Sequence, residues 1–125
     1  MVKIAFSVDN HFDVNRVDGF EMLKKQAVYL VEHDYQIYVN AGDTYNDFTK
    51  SLAYFRALQA EVGSAVTIRF LAGNHDMVNG ATYDEIQSAV DPLYLHEKIL
   101  PVPSTNAVII GNNGWYDYSL SLIHI

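Results

Sequence analysis

The segment VTIRFLAGNHDM, residues 66–77, decides how this chain is read. Its first part is an apolar, β-branched run of strand length. It then turns at Gly73 and sets Asn74, His75 and Asp76 side by side. A surface turn needs polarity, but it does not need a histidine and a carboxylate, groups that bind metals and move protons. The same pattern occurs twice upstream. Residues 2–8 (VKIAFSV) lead into Asp9, Asn10 and His11, and residues 36–41 (QIYVNA) lead into Gly42 and Asp43.

These three runs, and a fourth at residues 107–111 (AVIIG), are near-continuously apolar, as strands buried on both faces are. Helical patterns separate them. Phe20, Leu23, Ala27, Leu30 and Val31 recur at helical spacing with Lys24, Lys25 and Glu32 between them, and Asp18 with Glu21 forms a capping pattern at the start. Leu52, Phe55, Leu58 and Val62 form a second stripe that stops at Gly63. Thr82 and Glu85 make a capping box ahead of Ile86 and Val90, in a short helix closed by Pro92. Pro101 and Pro103 mark a connection before the fourth run. Strands alternating with helices predict an α/β fold with a parallel sheet and right-handed crossovers.

The composition fits one globular domain. The chain has 125 residues, of which 50% are hydrophobic and 18% charged. A net charge of -7 opposes a general nucleic-acid surface, which needs Lys and Arg against backbone phosphates. It opposes a single phosphate-bearing substrate less, because bound cations reverse the local field. With no cysteine there are no disulfides, thiolate metal sites or thiol nucleophiles. The apolar stretch at the amino terminus is short for a signal peptide and no run reaches membrane-spanning length, so a cytoplasmic location and no membrane partner are expected.

In a parallel α/β sheet the carboxyl ends of the strands share one edge, where ligands bind. Spacings of 34 residues from Asp9 to Asp43 and 31 from Asp43 to Asn74 each suit one βαβ unit. Three polar clusters are therefore expected to converge. Asp9 and His11, two apart on an extended segment, can clasp one cation. The Asp43 carboxylate can bridge two, and Asn74 offers an amide oxygen. Carboxylate, imidazole and amide ligands suit Mn, Fe, Zn or Mg. Each residue alone reads as an ordinary cap, turn or packed histidine; the joint placement at three strand ends is what singles them out.

The ordered set D-x-H (Asp9, His11), G-D (Gly42, Asp43) and G-N-H-D (Gly73 to Asp76), each after a strand, resembles the calcineurin-like metallophosphoesterase superfamily. The resemblance covers residues 2–77. GNNGWYDYS after the fourth run is similar to the small bacterial phosphoesterases. It implies the N-terminal part of an αββα sandwich and a hydrolase with two divalent metal ions, Mn foremost. By resemblance, Asp9 and His11 bind the first metal, Asp43 bridges both and Asn74 binds the second. A metal-bridging hydroxide attacks phosphorus, His75 protonates the leaving oxygen or stabilises the developing charge, and Asp76 orients or supports His75. Asn10 and Trp115 are the substrate-binding candidates.

Two features depart from the family pattern. Where members carry G-D-x-x-D, this chain has Asn46, with Asp47 one place later, and it lacks the Asp-Arg-Gly of the protein phosphatases. The family's later histidines, one alone and then a G-H-x-H, do not occur. His33, at a helix end, and His96, without a metal-binding neighbour, read as structural. The tail LSLIHI (residues 120–125) resembles a translated sequencing adapter, so residues 1–119 are expected to be the front half of a longer domain and the tail non-native.

The expected function is metal-dependent hydrolysis of a small phosphodiester or phosphomonoester, with weak or no turnover by this stretch on its own. A non-catalytic scaffold for protein binding and a metal-dependent nuclease are the alternatives; the acidic balance weighs against the nuclease.

Overall fold

A computed structural model describes residues 1–114. Trp115 and the tail at 120–125 lie outside the described residues, and so do the expectations attached to them. The chain forms a mixed α/β fold in which β1 (Ile4–Ser7), α1 (Gly19–Glu32), β2 (Ile37–Asn40), α2 (Phe48–Val62) and β3 (Thr67–Phe70) alternate. A 3₁₀ turn at Asn74–Met77 and α3 (Tyr83–Ser88) follow, and then β4 (Lys98–Pro101) and β5 (Val108–Gly111).

The expected caps form. Asp18 accepts from the backbone N–H groups of Phe20 and Glu21 at the start of α1. Thr82 and Glu85 close the capping box of α3. Gly63 ends α2 at φ 61°, the left-handed region in which glycine is least strained. Asp47 caps the start of α2 through Thr49 and Lys50.

β1, β2 and β3 pair in parallel in the order β1-β2-β3, with Ile4 opposite Ile37 and Ile37 opposite Thr67. Because both right-handed crossovers step in one direction, α1 and α2 lie on the same face of the sheet. There Leu23, Ala27 and Leu30 of α1 and Phe55, Leu58 and Val62 of α2 pack with Tyr38, Ile68 and Phe70. The Phe55 and Phe70 rings stack at 4.9 Å. On the other face Ile37 and Val39 meet Leu95 and Val102, with Leu100 and Ile109 of the β4–β5 hairpin against them. Tyrosines pack with satisfied tips: Tyr54 donates to Gln26 Oε1 at 2.6 Å and Tyr94 to the Ile86 carbonyl at 2.8 Å.

Four expectations need correcting. Residues 107–111 do not extend the parallel sheet: β5 pairs antiparallel with β4 in a separate two-stranded sheet, and residues around Pro101 are strand rather than pure connection. Pro101 is tolerated at the end of such a strand, where a missing N–H removes no ladder bond. The parallel sheet instead ends on a single bridge from Phe70 to Tyr94. Burial on both faces holds only for β2, the central strand; β1 is partly exposed, β3 alternates, and Val108 and Ile110 of β5 face outward. Phe20 and Val31 of α1 lie outside the core despite their spacing, and α3 ends at Ser88, so Val90, expected within that helix, lies beyond it and is exposed. The two helices are covered on one side only, so a stripe wider than the contact leaves its margins in solvent.

Candidate metal centre

The carboxyl ends of β1, β2 and β3 do converge, and backbone bonds lace the three following loops together. The first loop docks on the second through Asp9 N–H to the Gly42 carbonyl (3.1 Å), His11 N–H to Asp43 (2.9 Å) and Phe12 N–H to Thr44 (2.8 Å). The third docks on the second through His75 N–H, which donates to Asp43 Oδ1 at 2.8 Å. Asp9, His11 and Asp43 all have left-handed backbones, at φ 57°, 47° and 60°. Such conformations cost on the order of 1–3 kcal/mol each for non-glycine residues and gather where a site needs its side chains aimed.

The glycines of this edge are required by close approach. A Cβ on Gly73 would lie 2.1 Å from Asp43 Oδ1, so only glycine lets that carboxylate sit against the third loop. Its own φ of -108° suits any residue. Gly42, at φ 108°, would bring a Cβ to 2.6 Å from the Gly73 backbone nitrogen and is constrained both ways.

These restraints bring three ligand-bearing side chains together. One ligand atom from each of His11, Asp43 and His75 lies within 4.8 Å of the others. The two imidazole rings meet edge-on, with centroids 4.6 Å apart and planes at 71°. Asp43 is buried, while both histidines are partly open. Asp9 stands beside the group with Oδ1 3.6 Å from His11 Nε2, and its side chain is 57% exposed. Asn74 is exposed at the head of the 3₁₀ turn. Asn10 buries its amide Nδ2 without a hydrogen-bond partner among the described residues, next to Asp9 and His11. A buried orphan donor is unfavourable and marks a place where an acceptor is wanted.

Asp76 has a different part from the orienting bond expected of it. It is 1% exposed and its two oxygens are taken: Oδ1 accepts from Ser51 Oγ at 2.6 Å, and Oδ2 from the backbone N–H groups of Gly73 (2.8 Å) and Asp43 (3.1 Å). It ties the second and third loops together through their backbone. Burial raises its pKa, and the three hydrogen bonds offset only part of that rise.

The orienting bond to the ring comes from Asn46, whose Oδ1 is 3.0 Å from His75 Nδ1. Sequence reasoning left Asn46 without a part because an amide replaces the family's carboxylate; its place three residues after Asp43 was the available signal. Asn46 is itself fixed, its N–H donating to Asp13 Oδ2 at 2.9 Å and its carbonyl accepting from Asn79 at 3.1 Å. Asp13 also lies 3.9 Å from Lys50.

The other described histidines are apart from this cluster. His33 closes α1, its ring nitrogen 2.9 Å from the Tyr29 carbonyl. His96 is buried, with Nδ1 accepting from the Asn113 N–H at 3.0 Å.

Two imidazoles and a carboxylate, with a second carboxylate adjacent, form a donor set suited to a first-row divalent ion. They sit on loops held by a rigid sheet, at the edge where α/β folds bind ligands. Among the described residues, no helix is long and apolar enough to cross a membrane. Comparison with protein-family models, with curated proteins and with solved structures finds no match to this chain.

Proposed function

We propose that this chain carries the metal-binding edge of a hydrolase for small phosphate esters, of the calcineurin-like metallophosphoesterase type. The observation that carries the reading is the cluster of His11, Asp43 and His75. It is supported by their origin at three successive strand ends, in the order D-x-H, G-D and G-N-H-D. On this reading the alternating β1–β3 segment is the first part of the family's αββα sandwich, and the protein is a cytoplasmic relative of the small bacterial phosphoesterases.

The donors fit the implied metals. His11 and Asp43 would hold the first ion with Asp9 alongside, and Asn74 with Asp43 would hold a second; Mn is favoured, with Fe, Zn or Mg possible chemically. Such ions supply a lowered pKa for water and neutralise phosphoryl charge. The chain's own contributions are positional. Asp43 is locked against Gly73 and His75 N–H, so its carboxylate does not reorganise when a charged substrate arrives. Asn10 offers its orphan amide to a phosphate oxygen. The chain's net charge of -7 favours a small substrate drawn by bound cations over a nucleic-acid polymer.

The test is Mn²⁺-dependent hydrolysis of bis-p-nitrophenyl phosphate and p-nitrophenyl phosphate. Slow, chelator-sensitive turnover is expected, and Asp43→Asn, which keeps the oxygen accepting from His75, should abolish it. Turnover indifferent to both chelator and Asp43→Asn would refute the hydrolase reading.

A further inference from the structure

We propose that His75 is itself a metal ligand in this chain, coordinating through Nε2, so that His11, Asp43 and His75 form a complete three-residue site for one divalent ion. This rests on the metal-binding part of the reading above and not on hydrolysis. It replaces the proton-donating part that resemblance implies for His75.

Three observations carry it. First, a ring nitrogen of His75 falls within 4.8 Å of ligand atoms of both His11 and Asp43, whereas Asp9 stands beside that group and Asn74 is exposed. Second, Asn46 Oδ1 faces His75 Nδ1 at 3.0 Å. An amide oxygen only accepts, so Nδ1 is the donor in this contact, and in the neutral ring Nε2 is then the atom that holds a lone pair. A metal-bound imidazole characteristically donates its other N–H to a carbonyl or carboxylate in this way, fixing tautomer and ring direction. Third, the partner is neutral. The nearest carboxylate in sequence, Asp76, spends both oxygens on Ser51, Gly73 and Asp43, and among the described residues none forms an ion pair with the His75 ring.

Asn46 is then a positioning residue. Its own bonds to Asp13 and Asn79 hold the amide in place. The donor set selects Zn²⁺, Co²⁺, Mn²⁺ or Fe²⁺ over Mg²⁺ and Ca²⁺, which prefer all-oxygen surroundings.

The experiment uses the whole ¹⁵N-labelled chain and Zn²⁺, which is diamagnetic. Imidazole ¹⁵N–¹H correlations should first report His75 as the Nδ1–H tautomer. One equivalent of Zn²⁺ should then move Nε2 of His75 together with the resonances of His11, leaving His33 and His96 still. By calorimetry, His75→Gln should weaken Zn²⁺ binding at least tenfold, and Asn46→Ala about 10- to 100-fold, as loss of such outer partners does. Amide spectra of each variant, matched to the parent outside the loops, separate lost ligation from lost folding; a variant that unfolds leaves the parent's imidazole shifts to decide the matter. Zn²⁺ that moves His11 but not His75 would overturn this proposal and leave the hydrolase reading standing. No Zn²⁺ binding would overturn both. A His75-bound ion alongside turnover that ignores both chelator and Asp43→Asn would overturn the hydrolase reading alone.

Discussion

Replacing Gly73 with alanine isolates the contact on which the cluster depends. The residue's φ of -108° and ψ of -176° are accessible to alanine, so the substitution carries no backbone penalty. The added methyl would lie 2.1 Å from Asp43 Oδ1 and 2.5 Å from its Cγ, far inside van der Waals contact. The carboxylate must then rotate or the loops must part. Rotation loses the bond from His75 N–H to Asp43 Oδ1, a bond to a charged acceptor contributing about 1.5–3 kcal/mol. Parting the loops adds crowding of about 1–3 kcal/mol. The expected loss of stability by either route is therefore about 1–3 kcal/mol. With a urea slope of about 1–3 kcal/mol/M, the unfolding midpoint should fall by about 1 M. Circular dichroism in a urea series measures this, and calorimetry with Zn²⁺ or Mn²⁺ should register weakened binding in parallel. An unfolding free energy within about 0.5 kcal/mol of the parent's, the ordinary scatter of neutral substitutions, with undiminished metal affinity would refute the packing of Asp43 on Gly73.

Three further outcomes follow from the same geometry. Ser51→Ala leaves Asp76 Oδ1 buried without its 2.6 Å donor and should cost about 1–3 kcal/mol in urea unfolding; an unchanged midpoint would mean that Asp76 is not the tie between α2 and the loops. Burial alone would raise the Asp91 pKa, but the Leu93 N–H, the Arg56 bond and the Arg56 and Lys98 charges outweigh it and hold the carboxyl below its ordinary value. Its folded pKa being depressed, its contribution to stability is present above the unfolded value of about 3.9 and is lost as pH falls through the folded one. Arg56→Ala should shrink that contribution, so the parent's advantage over the variant in thermal melts should narrow from pH 6 toward pH 2; a constant gap would refute the linkage. Leu58→Ala, at a fully buried position of α2, should cost about 2–5 kcal/mol, and a loss below 1 kcal/mol would mean that the helix does not form the core described.

Much of this arrangement is legible in the chain itself, for local reasons. Strand-length apolar runs, helical stripes, Asp18, the Thr82–Glu85 box and Gly63 each act over a few residues, so β1 to α3 appear where their residues indicate. The parallel order of the first three strands follows from alternation with helices, and with it the convergence of Asp9, Asp43 and the residues after Gly73 on one edge. Partnering is less legible. The run at 107–111 looks like β2 in composition but pairs with residues 98–101 instead, because pairing depends on what reaches its edge. The stripe residue Phe20 is exposed because only the neighbouring layer decides how wide a face is covered.

The sequence by itself determined the element types, their order and the presence of metal-binding side chains at three strand ends, since periodicity, caps and turn residues act within one or two helical turns. The tertiary structure alone decided which of those side chains meet. It joined His75 to His11 and Asp43, left Asp9 alongside and Asn74 exposed, gave Asp76 to the backbone of two loops, and handed the His75 ring to Asn46. The physical reason is that a side chain's partner depends on ångström-scale approach between segments some 30 residues apart, here set by the absence of a Cβ at Gly73 and by left-handed turns at Asp9, His11 and Asp43.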